Sequence, residues 1–352
     1  MIQAKTISYS QNEFGDKLFT VEVIMPRHIL AEVNTHRMLS KNSASSRAIP
    51  FNKMVQSVQD NPFIPIAWQE QHSGMQGTEY LNGIEEESAI DNWLLAKDSA
   101  IKESQCLYSN NVTKQLANRL LEPFMYHKVL ISGTDSGWQN FFELRCPSYD
   151  KFKSWKEVIK NAETNGANDV ILHELESYST LERLKLNKGM AEIHMMALAE
   201  AIYDEYQNSS IDKDSIWHLP YASEIKDIRD NIYISTARCA RTSYTTPDIS
   251  VDSSLNLEKD IQLHDRLLLN KPPHASPAEH PARKMTNDEY FSFQKVYIVN
   301  QLTEKLQDEH ALGKTQIIAL GDGYYRIIEY GWCNNYRGFI QYRYLIENNL
   351  PI

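Results

Sequence analysis

An α+β fold is predicted by three features of the sequence. KTISYS and KLFTVEVIMP, both within the first 26 residues, are rich in β-branched and aromatic side chains and read as strands. GMAEIHMMALAEAIYDEY, residues 189–206, carries Met190, Ile193, Ala197, Ala201 and Ile202 as a stripe at helical spacing. A further helical stretch runs from about Glu85 to Leu121 and is expected to end near Pro123.

Composition bounds what such a fold can do. At 352 residues the chain has room for roughly two domains and a sizeable core. With 42% hydrophobic and 23% charged residues it belongs with soluble globular proteins and not with disordered ones. The net charge of −10 gives no broad footprint for a nucleic-acid backbone, so an anionic ligand needs a local cluster of arginines. Small anions are favoured and no nucleic-acid partner is expected. No apolar run is long enough to span a bilayer and MIQAKTISYSQNEFGDK has no signal-peptide core, so a cytoplasmic location without a membrane partner is expected. Cys106, Cys146, Cys239 and Cys333 are far apart with no CxxC pair, which points away from a zinc knuckle or a disulfide framework. No metal is expected.

The elements follow in order. KLFTVEVIMP ends at Pro26, and RHILAEVNTHRML reads as a helix with Ile29, Leu30, Val33, His36 and Arg37 near one face. That places His36 and Arg37 at a helix end, facing a serine-rich turn. NPFIPIAWQEQHSGMQG, residues 61–77, reads as a long irregular loop. KVLISGTDSGWQNFFELR suggests a short strand, a turn and a helix closed by Arg145, and 147–188 reads as a charged helical insertion. WHLPYAS is a candidate linker before a second segment opening near Glu224, which divides the chain into 1–220 and 221–352.

The second segment holds ISTARCARTSY, a helix LEKDIQLHDRLLL, HASPAEH and YRIIEYGWCNNYRGFIQYRYLIE. In HASPAEH, Ser276 reads as an N-cap, Pro277 as the first helical residue and Glu279 as the residue reaching back.

THRMLSKNSASSR, residues 35–47, concentrates hydrogen-bond donors. Two arginines offer forked donors to phosphate, and Ser45 and Ser46 add hydroxyls and turn amides. Alone, the stretch reads more readily as a polar loop whose serines cap a helix. Its spacing, HRxxSxNxxSxR through His36, Arg37, Ser40, Asn42, Ser45 and Arg47, resembles the RHRxxSxNxxSxR signature of the flavin-dependent thymidylate synthases without the first arginine. FFELR is similar to that family's FxxLR, and AEIHMMALAEAI resembles xxEIRxLAxAI with His194 in place of an arginine. STARCARTSY and HASPAEH resemble AARxSY and HxSPxEH. In the family these two precede the serine-arginine motif. Here they follow it, an order that looks circularly permuted, or like longer phage-type relatives with a terminal stretch similar to YRGFIQYR. Residues 147–188 have no counterpart.

The resemblance implies a mainly antiparallel sheet flanked by long helices, a ThyX-like fold in which both segments pack into one catalytic unit. It implies a homo-oligomer, a tetramer with active sites between subunits. The implied activity is methylation of a pyrimidine deoxynucleotide at C5, dUMP to dTMP, with FAD, NADPH and methylene-tetrahydrofolate. No cysteine nucleophile is needed. Carried over by position, Ser45, Ser46 and Arg47 would hold the nucleotide phosphate, with Arg145 as a further substrate contact. His36, Arg37, Asn42, Ser276 and Glu279 would face the flavin. His274 would lie by the folate or nicotinamide, and Arg145, His274 and Ser45 are the candidate catalytic residues. Without the first motif, Ser276 and Glu279 read as a capping box and His274 as a structural histidine.

Three departures surround the expected pyrimidine. Thr35 stands for the first arginine, Glu32 for a common glutamine and His194 for an arginine. A carboxylate accepts well from the exocyclic amine of cytosine, so Glu32 opens the alternative of dCMP, with a methyl or hydroxymethyl product. A flavin- or nucleotide-binding relative without turnover is a second alternative. Two others are a Cys146 nucleophile and a nucleic-acid surface of Arg47, Arg145, Arg337 and Arg343 with Tyr336 and Tyr342.

Overall fold

The computed structural model describes residues 2–73, 77, 79–189, 191–222, 227–244, 257–270 and 272–352. Met190 and Glu224, named above in the helix stripe and at the segment boundary, lie outside them.

The main sheet has four antiparallel strands in the order β1-β2-β4-β3: β1 Gln3–Gln11, β2 Lys17–Pro26, β3 Ser40–Ser43 and β4 Tyr126–Thr134. β2 ends at Pro26 as the sequence predicts. β2 alternates Val21, Val23 and Met25, all fully buried, with the half-buried Glu22 and Ile24. Its apolar face packs on the helix Ile193–Asn208 and the helix Asp135–Arg145, where Trp138, Phe141 and Phe142 are fully buried. The apolar seam between sheet and helices is the main core.

β4 passes straight into the helix Asp135–Arg145, the strand, turn and helix expected there. The helix Ile193–Asn208 starts at Glu192, whose carboxylate accepts from the amides of His194 and Met195. Every residue from Ile193 to Glu200 is buried, so this helix has no solvent face in its first half and the expected stripe is instead a buried cylinder. The helices expected from 85 to 121 are Gly83–Ser109 and Lys114–Ala117, parted where Asn110 and the left-handed Asn111 break the first. A 3-10 stretch, Asn118–Phe124, contains Pro123. Residues 147–188 hold three short helices, Trp155–Thr164, Asp169–Ser177 and Thr180–Leu186.

The two segments interlock. WHLPYAS is not a linker: Trp217 and His218 form β5 and pair with β6, Ala282–Lys284, which pairs in turn with β12, Phe339–Gln341. Side chains bridge the segments as well. Tyr221 donates its phenol to Glu22 at 2.5 Å, Glu22 holds the buried Lys128 at 3.2 Å, and Lys314 reaches Asp16 at 2.7 Å. Gly338, at φ +75°, sits where a Cβ would fall 2.1 Å from the Asn12 amide, so only glycine fits that crossing. β7 Gln294–Val299, β8 Thr315–Gly321 and β9 Tyr324–Tyr330 form a separate antiparallel sheet in the order β7-β9-β8. β10 Trp332–Cys333 and β11 Tyr336–Arg337 make a short ribbon. Among the described residues no helix is long and apolar enough to cross a membrane.

Candidate functional site

Motifs about two hundred positions apart meet at β3. The Asn42 side-chain amide donates to the Cys239 carbonyl at 2.6 Å, and the Ser243 hydroxyl donates to Asn42 Oδ1 at 3.3 Å. The Ser45 amide donates to the Ser243 carbonyl at 3.1 Å. β3 is polar yet it is a strand: its alternation buries Ser40 and Asn42, whose polar atoms are satisfied by these cross-chain bonds. Past β3 the Ser45 carbonyl accepts from the amides of Ala48 and Ile49, a tight turn that presents Ser45, Ser46 and Arg47.

On the other side of the contact stands STARCARTSY. It forms the end of the helix Ile228–Arg241 and the 3-10 turn Thr242–Tyr244. This helix is clamped to the helix Leu257–Leu268 by Asp260, fully buried, which accepts from Arg238 at 3.1 Å and Arg241 at 2.7 Å.

Between these elements lies a cavity of 820 Å³. Of the residues expected from sequence, Asn42, Ser45, Ser46, Arg47, His274 and Ser276 line it. Arg27, Lys41, Arg119 and Arg266 line it too, and no carboxylate does. Arg27 and Arg119 share Glu122 at 3.6 and 3.0 Å, whereas among the described residues neither Arg47 nor Arg266 is paired with a carboxylate. Lys41 donates to the carbonyls of His36 and Val33, and burial pulls its pKa down to about 8. Five cations around a polar cavity, three of them without a carboxylate partner among the described residues, suit an anionic ligand carrying phosphate. Ser46 is less available than expected, because its hydroxyl donates to Glu122 at 2.5 Å. Sequence reading missed Arg27, Lys41, Arg119 and Arg266. Arg266 sits in a segment that shows only helical periodicity, and nothing local marks it.

The remaining expected residues stand elsewhere. The helix predicted over 27–39 is shorter, a 3-10 turn, Arg27–Ile29, and a helix Leu30–Thr35, and His36 is its C-cap, so His36 and Arg37 stand at a helix end as the sequence predicts. Leu30 and Asn34 of that helix line the cavity, while Glu32 and Thr35 belong to a second polar cluster. There Arg145 donates to His36 Nε2 at 3.0 Å, faces Glu32 at 3.5 Å and approaches the Thr35 hydroxyl at 3.5 Å. His36 is buried with its edge against Phe141, and burial, with Arg145 and Lys41 nearby, pulls its pKa down to about 4. It stands as a neutral acceptor for Arg145 and does not line the cavity. Burial and the neighbouring Glu192 push the Glu32 carboxyl up.

His194 adjoins this second cluster. Its Nε2 accepts from the Ile66 amide at 2.9 Å, so the proton sits on Nδ1 and is donated to Glu192. His28, Glu192 and His194 offer ligand atoms within 4.8 Å of one another. A metal on His194 Nδ1 would have to displace that proton while Nε2 still accepts an amide, which a neutral imidazole cannot do. The three residues therefore do not fit a metal ion.

Arg37 and Glu279 line a separate cavity of 420 Å³ with Ser40, Asn335, Gln341 and Arg343. The capping box expected in HASPAEH is absent. Ser276–Glu279 is a single 3-10 turn whose N-cap is Ala275, with no side-chain cap, and Glu279 accepts from Arg343 at 2.6 Å instead. Arg343 is a stronger partner for the Glu279 carboxylate than a backbone amide. Ser276 and Glu279 thus line two different cavities. Gln341 and Asn335 donate to the Ser40 hydroxyl at 3.2 and 3.1 Å, which ties YRGFIQYR to β3 as well.

Two alternatives lose their residues. Cys146 is buried and its thiol is pushed well up by burial, the opposite of an activated nucleophile. Tyr336 and Tyr342 are buried, and Arg337 is committed to Glu309 at 2.8 Å, so they form no stacking surface.

No family model matches the chain, and no curated protein matches it. Among solved structures it is similar to the UMP/dUMP methylase PolB from Streptomyces cacaoi. With 5-Br UMP bound, the TM-score is 0.41 at 13% identity, over 58% of this chain and 88% of that one. With 5-Br dUMP bound it is 0.37 at 13% identity, over 54% of this chain and 65% of that one.

Proposed function

We propose that this chain is an enzyme that methylates a pyrimidine deoxynucleotide at C5 in a flavin-dependent reaction. One observation carries the reading: four separated motifs converge on β3. Asn42 and Ser45 bond to STARCARTSY, HASPAEH supplies His274 and Ser276 to the same cavity, and YRGFIQYR reaches Ser40. Motifs that merely resembled a signature by chance would have no reason to assemble.

The residues present fit FAD as a phosphate-bearing dinucleotide. The cavity has the volume of a cofactor site and a cationic wall without carboxylates. Arg47, Arg266 and Lys41 would hold phosphate, with Ser45 adding a turn hydroxyl. FAD, when bound, supplies hydride chemistry, its electrons coming from NADPH and the one-carbon group from methylene-tetrahydrofolate. The chain's own contribution is binding and orientation: Arg145 and Glu32, now facing each other at 3.5 Å, would offer a donor and an acceptor to a pyrimidine edge. A homotetramer, as the resemblance implies, would bring this pair from one subunit to the basic cavity of another.

Glu32 keeps dCMP beside dUMP as a substrate, since a carboxylate accepts from a cytosine amine. The deciding experiment measures tritium release from C5-labelled dUMP and dCMP with FAD, NADPH and methylene-tetrahydrofolate. Release from either supports the proposed reaction and names the base. Absence of release from both, with FAD bound, leaves a binding protein without turnover. That second reading is favoured by one observation, that Arg145, Glu32, Thr35, His36 and His194 all stand apart from the cavity within a single chain.

A further inference from the structure

Beneath the turn Ser276–Glu279 runs a buried chain of side chains that the proposed reaction does not use. Ser10 Oγ lies 2.9 Å from His218 Nδ1, and Ser8 Oγ lies 3.2 Å from the same atom. His218 Nε2 lies 2.7 Å from Thr20 Oγ1, which lies 2.6 Å from Ser132 Oγ. Ser132 Oγ lies 2.8 Å from His280 Nδ1, and His280 Nε2 is buried with no partner. Ser10, Thr20, Ser132, His218 and His280 are all at most 1% exposed. The chain crosses β1, β2, β4 and β5 and ends on the last residue of HASPAEH.

Burial pulls the pKa of both histidines down to about 3, so each carries one ring proton and the chain can be polarised in either direction. The start of the chain decides which. Two hydroxyls converge on His218 Nδ1, and the Ser10 hydroxyl has no other acceptor among the described residues. If Nδ1 carried the proton, the buried Ser10 hydroxyl would be left without an acceptor, and His280 Nε2 would be a second unsatisfied atom at the other end. If Nδ1 accepts, its one lone pair takes the closer, buried Ser10, the half-buried Ser8 is left to other partners, and every fully buried group but His280 Nε2 is satisfied: Ser10 donates to His218, His218 Nε2–H to Thr20, Thr20 to Ser132, and Ser132 to His280 Nδ1. Buried polar groups are rarely left unpaired, so the second direction is the favoured one.

We propose that Ser10, His218, Thr20 and Ser132 form a one-directional relay that fixes His280 as its Nε2–H tautomer and seats the turn Ser276–Glu279. His280 is a positioning residue. The turn it closes gives Ser276 and Pro277 to the basic cavity and Glu279 to the second one. The direction of these hydrogen bonds does not depend on whether the chain methylates a nucleotide.

Side-chain nitrogen NMR on the full chain at neutral pH tests it. The wild type is expected to show His218 and His280 neutral, each protonated on Nε2. Thr20→Val removes the acceptor of His218, whose proton should move to Nδ1 while His280 stays Nε2–H, because Ser132 still donates to it. Thr20→Ser keeps the hydroxyl and should restore the wild-type pattern. Ser132→Ala should leave His280 without a single tautomer, and Ser132→Thr should keep it. A wild-type His280 protonated on Nδ1, or an imidazolium at neutral pH, would overturn the proposal. So would a Ser132→Ala protein whose His280 signals are unchanged. Failure of the wild type to bind FAD would count against the proposed function and leave these outcomes readable.

Discussion

Asn42 donates its amide to the carbonyl of Cys239 at 2.6 Å, across 197 positions of sequence. The bond is buried and joins the donor-rich strand of the first segment to the helix end of the second. It makes the basic cavity a property of the whole chain and not of either motif.

Asn42→Ala is therefore expected to act on both stability and ligand affinity. Losing the buried bond and leaving the Cys239 carbonyl unpaired should cost about 1–3 kcal/mol. Thermal unfolding and FAD titration should both shift. A variant that unfolds as the wild type does while binding FAD normally would show that the staple does not shape the cavity.

Arg47 and Arg266 should behave differently. Both line the cavity without a carboxylate partner among the described residues, so replacing either by alanine leaves no buried charge behind. Each substitution should weaken binding of a phosphate-bearing nucleotide by roughly tenfold or more, about 1.4 kcal/mol, with thermal stability near wild type. Isothermal titration at two salt concentrations checks this, since the loss should shrink as salt rises.

Lys41 makes affinity depend on pH. Burial lowers its pKa from 10.5 to about 8, and an anion bound beside it favours the charged form. Nucleotide affinity should be full below pH 8 and fall as the pH rises through it, with proton uptake on binding. Stability moves the other way. Between about 8 and 10.5 the unfolded chain binds more protons than the folded one, so the Lys41 contribution makes the fold more stable as pH rises. Lys41→Met should flatten the affinity profile.

Asp260 tests the clamp behind the cavity. It is fully buried between Arg238 and Arg241, so Asp260→Ala strands two guanidinium groups and should cost about 3–5 kcal/mol. Denaturant unfolding measures it directly.

Glu32 tests base choice. It faces Arg145 at 3.5 Å, and Glu32→Gln keeps its size while exchanging a pure acceptor for a donor and acceptor. If the natural substrate is dCMP, turnover should move toward dUMP; if it is dUMP, the preference should stay and KM change little.

How far the sequence speaks for itself differs by element. β2, β4 and the helix Asp135–Arg145 follow from β-branched runs and apolar spacing, which are local properties. β3 does not: SKNS has no strand composition, and it is extended because β4 pairs with it and Cys239 and Asn335 satisfy its side chains. β5 hides in the same way, since Pro220 and the polar neighbours suggest a linker while β6 supplies the pairing. In the site, Ser45, Arg47, His274 and Ser276 were legible as motif residues, and the cavity gathers them. Arg27, Arg119 and Arg266 were not, because their role comes from three distant elements meeting. His36 was legible as a helix-end residue, but its engagement with Arg145 away from the cavity was not, because Arg145 comes from a helix 109 positions on.

In the proposed reaction the cavity walled by Arg47, Lys41, Arg266 and Ser276 would hold a flavin dinucleotide beside a pyrimidine nucleotide. The most direct test is the anaerobic visible spectrum of the purified chain incubated with FAD and then NADPH, with and without dUMP or dCMP. A protein that retains FAD and bleaches faster with nucleotide present is the predicted result. A chain that stays colourless after incubation and takes up no FAD would contradict it.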